Sequence, residues 1–339
     1  MGGALSTNAF PVEGRTVLIT GASRGMGLEA GRQLAAKGAN VVLAARDEKR
    51  LLEGTEYMRA AAMSESQRFH HLSVDLTSYE EAQRMINEVT KWNLGSPPDV
   101  VWCCAGASHP TLFVDTDVSA FRSQMDSNYF SAVYTSHAAL RSWLRPGAEQ
   151  PRRPEASAKR PAARHLILTG SFLAFYPIAG YAPYSPTRAA IRALSDELSQ
   201  EMELYAAANP DSAAVKVHTV FPATILTESY EAENKIKSDL TKMLEGPNGG
   251  QTAEEVARGA IRGLESGQEL ITTDWQTRLV MCSILGGSGR GGFWKGLLDG
   301  ILGSIMLLVM VFIRGDMDRQ VRSWGRMYGD SGMKKVRAD

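Results

Sequence analysis

From residue 15 onward, short apolar runs alternate with amphipathic stretches. RTVLIT, NVVLAAR, HHLSVD, DVVWCCAG, ARHLILTG and VKVHTVFP are rich in β-branched or large apolar residues. Their nearly continuous apolar character predicts parallel strands covered on both faces. Between the first two lies GMGLEAGRQLAAKG, a helical pattern closing on Gly38, a residue suited to the turn after a helix. DEKRLLEGTEYMRAAA, after the second strand, reads as the next helix. Such alternation predicts right-handed βαβ crossovers and a doubly wound α/β fold with a parallel sheet.

Two stretches depart from this pattern. RPGAEQPRRPEASAKRPAAR, residues 145–164, is made of Pro, Ala and charged residues that cannot form a core, and predicts a flexible surface excursion. After about residue 275 the chain turns apolar, breaks at GGSGRGG and becomes apolar again. ILGSIMLLVMVFI holds thirteen residues without a charge; extended back to Leu297 the run reaches seventeen but takes in Asp299. A simple span needs about 20 apolar residues. Arg314, Arg319, Arg322 and Arg326 follow, and Trp294 and Trp324 suit a membrane interface. The apolar density exceeds what one buried helix face needs, so a membrane-associating segment is expected ahead of a core helix pair or an oligomer interface. A single span, a re-entrant hairpin using the glycine break, and an interfacial helix all stay open. The expected organisation is a tail over 1–12, a folded domain over 13–275 and a membrane-associating C-terminal segment over 276–339.

Composition changes this picture little. Formal net charge is zero and no basic block dominates, so nothing suggests a nucleic-acid partner. Cys103, Cys104 and Cys282 are too few for a disulfide framework; the first two read as buried strand residues. The start, MGGALSTNAF, lacks the basic and apolar regions of a secretory signal. It matches Met-Gly-x-x-x-Ser, the loose myristoylation pattern at Gly2, although a flexible small-residue tail explains it equally simply.

The candidate chemistry begins at TGASRGMG, between the first strand and the first helix. Gly21, Gly25 and Gly27 allow a tight turn and close approach of backbone to a pyrophosphate, with Ser23 and Arg24 in the same loop. The helix N-terminus offers free N–H groups to phosphate. An acid at the end of the second strand would select NAD; here stands Arg46, with Arg50 one helical turn on. Guanidinium groups pair with phosphate, so the expected cofactor is NADPH, although a solvated helix face also explains Arg50. Asp75, at the end of HHLSVD, is expected near the adenine beside the Leu76 backbone, or as a helix-capping acid.

Ser171 closes the LTGSF stretch, Tyr184 lies thirteen residues on, and Arg188 is four residues further, on the same helix face. Carbonyl reduction needs a proton donor at oxygen while hydride reaches carbon. A free tyrosine has a pKa of about 10, and moving it to neutrality takes roughly 4 kcal/mol of preferential phenolate stabilisation. A nearby cation in a water-poor pocket is a source of that energy. Ser171 is expected to hold the carbonyl oxygen. The bland reading, a buried helix tyrosine and a strand-end cap, fits each residue singly but not their joint spacing.

TGASRGMG, Asn128 in MDSNYF, Ser171, Tyr184 and FPATILT resemble the short-chain dehydrogenase/reductase family over about residues 13–275. The resemblance implies a Rossmann-like domain, with Tyr184 and Arg188 also touching the cofactor and Asn128 anchoring a proton relay. FYPIAGYAPYSPTRAAIRALSDEL is most similar to the 3-ketodihydrosphingosine reductases, the fungal group especially. That similarity implies NADPH-dependent reduction of 3-ketosphinganine to sphinganine at the cytosolic face of the endoplasmic reticulum. Reductases of another lipophilic ketone, steroid or retinoid, and a catalytically weak NADPH-binding scaffold are the rivals. Family members associate through long helices, which implies a homodimer or homotetramer. The chain departs from the family twice. The family's Asn-Asn-Ala-Gly is Cys103-Cys104-Ala105-Gly106, which keeps the small pair Ala105 and Gly106 where the cofactor approaches. The family's catalytic lysine is Arg188, which keeps the charge but cannot release a proton at working pH.

Overall fold

The computed structural model describes residues 8–145, 161–246, 249–289 and 291–334. The myristoylation pattern and most of the 145–164 stretch, residues 146–160, lie outside the described residues.

The strands are β1 (Thr16–Thr20), β2 (Asn40–Ala45), β3 (Phe69–Ser73), β4 (Val100–Cys103), β5 (Arg164–Thr169), β6 (Val215–Phe221), the two-residue β7 (Ile225–Leu226) and β8 (Gln251–Thr252), and β9 (Leu270–Thr272). The helices are α1 (Gly25–Ala35), α2 (Glu48–Ala60), α3 (Tyr79–Trp92), α4 (Val118–Met125), α5 (Ser131–Leu144), α6 (Ser185–Ala208), α7 (Glu228–Ile236), α8 (Asp239–Glu245), α9 (Ala253–Glu265), α10 (Trp275–Ile284) and α11 (Phe293–Tyr328). A π-turn, Asp126–Phe130, joins α4 to α5.

Seven strands form one parallel sheet in the order β3-β2-β1-β4-β5-β6-β9. Alternate residues of each strand feed two cores. Val17, Ile19, Val41 and Leu43 pack with α1, α2 and α9. Leu18, Val42, Ala44 and Val101 pack with α3, α5 and α6. Burial on both faces explains the unbroken apolar runs. Strand order reverses between β1 and β4, so a crevice opens at the strands' carboxyl ends, where ligands bind in such sheets.

The predicted strands all form, with trimmed ends: Asp75 lies two residues beyond β3, and Ser171 two beyond β5. The edge strand β9 was not foreseen. The apolar C-terminal run forms α11 as expected, with a mean hydropathy of 2.3 in its most apolar window. At about 1.5 Å per residue its 36 residues reach about 54 Å. The same body holds it at several points. Asp299, 2% exposed, pairs with Arg278 of α10 at 2.8 Å. At Gly303 an added Cβ would stand 2.4 Å from the Cys282 carbonyl oxygen, so the two helices touch backbone to backbone. Tyr176 donates to the Met317 sulfur, Trp324 is buried, and beyond the helix Gly332 O accepts from Leu240 N. The side away from the body exposes Leu297, Leu298, Ile301, Ile305, Leu308 and Phe312.

Candidate active site

One cleft of about 970 Å³ collects residues from the ends of six sheet strands: Gly21 after β1, Arg46 after β2, Asp75 after β3, Cys104 after β4, Gly170 after β5 and Pro222 after β6. Ser23, Arg24, Gly25, Gly27, Arg50, Leu76, Ala105, Gly106, Ser171, Tyr184 and Arg188 line it too. Asn128 does not; it is fully buried behind Arg188.

The glycine loop fits a dinucleotide. Gly21 and Gly25 both have φ of +62°, a conformation that penalises a side chain. At Gly21 a Cβ would also stand 2.6 Å from the Ala105 backbone, so the loop presses against the turn after β4. At Gly27 a Cβ would approach Gly21 O to 3.0 Å. Arg24 precedes α1 without a side-chain cap, so the first-turn N–H groups keep no side-chain acceptor. A cradle of bare backbone donors beside three arginines suits a phosphorylated ligand. Arg50 Nη1 donates to Glu228 of α7 at 2.8 Å, and Arg24 lies 4.0 Å from the same carboxylate. Both ends of this contact are exposed, so it forms at the solvent rim of the cleft. Arg46 forms no ion pair among the described residues. Asp75 accepts from Thr77 N and Oγ1, whereas Ser78 caps α3, so the capping role expected as an alternative for Asp75 falls to Ser78.

The catalytic candidates converge at the other end. Tyr184 immediately precedes α6, and Pro186 fits the helix's first turn, where no N–H is needed. Arg188, one turn on, is buried; its guanidinium carbon lies 5.0 Å from the Tyr184 ring centroid. Nη1 donates to Thr169 O at 2.9 Å and Nη2 to Asn128 Oδ1 at 3.0 Å, while Nε is buried without a partner. Asn128 sits in the π-turn, a distortion frequent at functional sites. Its Oδ1 also accepts from Ala107 N, and its Nδ2 donates to Gln124. The bare Cα of Gly106 makes room for this pair: a Cβ there would lie 2.3 Å from Arg188 Nη2. Ser171 Oγ accepts from Leu173 N at 3.2 Å, which leaves its hydroxyl hydrogen free to donate. At the altered Asn-Asn positions, Cys103 Sγ meets Ser136 and Cys104 Sγ accepts from Thr169; burial pushes the Cys103 thiol up to about 12, so it stays neutral.

A polar wall went unforeseen. Lys237, fully buried, donates to both Glu245 oxygens at 2.8 Å and lies over the Tyr181 and Tyr230 rings. Tyr181 donates to Glu245 and lines the cleft beside Tyr184. Glu233 of α7 lines it as well. Its sequence context, TESYEAENKIKSD, looks like an ordinary solvated helix, and no local signal separates it from one.

The fold and the cofactor cradle define a class: the chain belongs to the short-chain dehydrogenase family, whose model matches residues 15–237. Within that class it is 46% identical to the 3-ketodihydrosphingosine reductase ksrA of Aspergillus fumigatus, over 95% of this chain and 88% of that one. It is 42% identical to the 3-ketodihydrosphingosine reductase gsl-3 of Neurospora crassa, over 97% of this chain and 87% of that one. A solved short-chain type dehydrogenase/reductase from Mycobacterium ulcerans shares the fold, with a TM-score of 0.63 at 22% identity over 88% of this chain and 98% of that chain. Membership carries nicotinamide-cofactor binding and oxidoreductase chemistry between carbonyl and alcohol.

Proposed function

We propose that the protein reduces 3-ketosphinganine to sphinganine with NADPH, its residues 13–275 forming the reductase unit and 276–339 the membrane-associating segment. The observation that carries this reading is similarity to two 3-ketodihydrosphingosine reductases over nearly the whole chain, the C-terminal segment included. The cleft supports it. Phe172, Leu173, Tyr176, Ile178 and Val280 give it an apolar wall suited to an alkyl chain, and Tyr176 reaches α11.

The glycine loop and the open start of α1 would hold the pyrophosphate, Arg46 with Arg24 and Arg50 the 2′-phosphate, Asp75 and Leu76 the adenine, and Ala105 and Gly106 the approach to the nicotinamide. Bound NADPH supplies the hydride. Ser171 donates its free hydroxyl hydrogen to the substrate's carbonyl oxygen. Tyr184 gives that oxygen its proton and is left as phenolate. Arg188, fixed beside the ring, favours the phenolate and is placed to bond the nicotinamide ribose. Because a guanidinium cannot pass on a proton, Tyr184 recovers its own from water in the cleft. Asn128, whose Oδ1 accepts from both Arg188 and Ala107, positions Arg188.

The test of the substrate is a panel. Full-length protein in lipid nanodiscs is offered 3-ketosphinganine, a steroid ketone and retinal with NADPH. Turnover confined to 3-ketosphinganine supports the reading, and turnover confined to either other carbonyl overturns it. The cofactor assignment has its own check. Hydrogen bonds to a charged group are worth about 1.5–3 kcal/mol, and each 1.4 kcal/mol is about tenfold. Arg46→Ala should therefore cut the preference for NADPH over NADH by about tenfold or more, read as the ratio of kcat/KM values. An unchanged ratio would remove Arg46 from the phosphate site.

The membrane reading follows from α11. A helix held to one body at Asp299, Gly303, Met317 and Trp324 suits an in-plane position better than a perpendicular crossing, with its exposed apolar side sunk into the interface. That membrane is the endoplasmic reticulum on its cytosolic side, as the similarity to this enzyme group implies. Leu308 and Phe312, 68% and 76% exposed, lie one turn apart on that side. Replacing both by Glu should release the protein from phosphatidylcholine vesicles in a flotation assay while its Tm is kept. Undiminished flotation would count against α11 as the contact.

A further inference from the structure

Two carboxylates stand on the α7–α8 wall of the cleft, and their situations differ. Both Glu245 oxygens are taken by Lys237, and Tyr181 donates to one of them. Glu233 takes part in no ion pair among the described residues. Burial, the largest influence, holds its carboxyl above the ordinary glutamate range. Ser108 beside it, and Lys237 and Arg188 more weakly, pull the other way, while Glu245 adds to the rise. Lys237 gives two of its three donors to Glu245. Arg188 is committed to Thr169 and Asn128. A half-buried acid facing a large cleft, with no ion pair of its own while Lys237 and Arg188 are hydrogen-bonded to other groups, suits a cationic ligand. The substrate of the proposed reaction carries one: a 2-ammonium on the carbon next to the ketone.

We propose that Glu233 receives the ammonium group of the substrate and thereby selects an α-amino ketone over a plain long-chain ketone. The assignment rests on the reading of the protein as a 3-ketosphinganine reductase. Glu233 lines the same cleft as Ser108, Ser171 and Tyr184 and lies within electrostatic reach of Arg188, so an ammonium held there would direct its neighbouring carbonyl toward the Ser171–Tyr184 end. Lys237 contributes by pinning Glu245, which leaves Glu233 as the carboxylate open to a ligand. The apolar wall at Phe172 and Val280 takes the chain.

The experiment compares 3-ketosphinganine with the same long-chain ketone lacking the amino group. Full-length wild type, Glu233→Gln and Glu233→Asp are measured in identical nanodiscs. Wild type should prefer the amino ketone by about tenfold or more in kcat/KM, the size expected of one charge-assisted contact. Glu233→Gln should raise KM for the amino ketone and bring the ratio close to one, and Glu233→Asp should restore part of it. A wild type that does not discriminate overturns the inference without any variant, so misfolding of Glu233→Gln would not shelter it. Equal losses on both ketones in Glu233→Gln also overturn it, making Glu233 a cofactor or structural group while the reductase reading stands. A wild type that reduces only the deaminated ketone overturns both.

Discussion

Replacing Tyr184 by Phe should lower kcat by about a hundredfold or more while leaving NADPH binding within about twofold. The substitution removes one oxygen and keeps the ring, so the contact with the Arg188 guanidinium survives. What is lost is the hydroxyl proposed to protonate the carbonyl oxygen. General acid catalysis contributes typically 10²–10⁴-fold, and kcat should fall by about that factor. Stopped-flow NADPH oxidation gives the rate and nucleotide fluorescence the affinity. A variant that keeps more than about a tenth of the wild-type kcat would show that another group supplies the proton.

The second large effect concerns Arg188. Arg188→Gln strips the cation from beside Tyr184 and withdraws both donors, leaving Thr169 O and one Asn128 acceptor site without their partner. A buried polar group left unpaired costs about 1–3 kcal/mol, so Tm should drop by several degrees along with a kcat loss of about a hundredfold or more. Arg188→Lys separates the two contributions. It keeps the charge but offers one compact ammonium where the guanidinium fork bridges two acceptors. The pocket around it, from Gly106 to Asn128, is shaped to the larger group. A modest drop in both kcat and Tm is expected. A gain in activity would instead mark Arg188 as damage to a lysine site, and the chain as closer to an NADPH-binding scaffold.

The sheet was legible because its central strands are buried on both faces and carry nearly unbroken apolar runs, as in the VVLAA of β2. The cofactor loop was legible for a similar reason, since Gly21, Gly25 and Gly27 are demanded by backbone conformation and close packing. Ser171, Tyr184 and Arg188 were found by spacing, and the fold brings them to one cleft. Asn128 was found by the family resemblance; its side chain sits under Arg188, accepting from Arg188 and Ala107 and donating to Gln124. The edge strand β9 was missed because three residues carry little pattern. Glu233, Lys237 and Glu245 were missed for a deeper reason. Lys237 is buried with Glu245, eight residues on, because the α7–α8 turn folds the two together, a pairing that neither helix nor strand periodicity signals. The docking of α11 was hidden likewise. Asp299, Gly303, Met317 and Trp324 face the body, but an apolar run long enough to suggest a membrane masks the stripe within it.

The most direct test of the central claim measures cofactor and product together. Full-length protein in nanodiscs receives 3-ketosphinganine and NADPH, with loss of NADPH followed by absorbance and sphinganine quantified by mass spectrometry. One sphinganine should form per NADPH oxidised, and both signals should vanish in Tyr184→Phe. Tight NADPH binding without sphinganine formation, in the wild type and under the same conditions, would contradict the assignment.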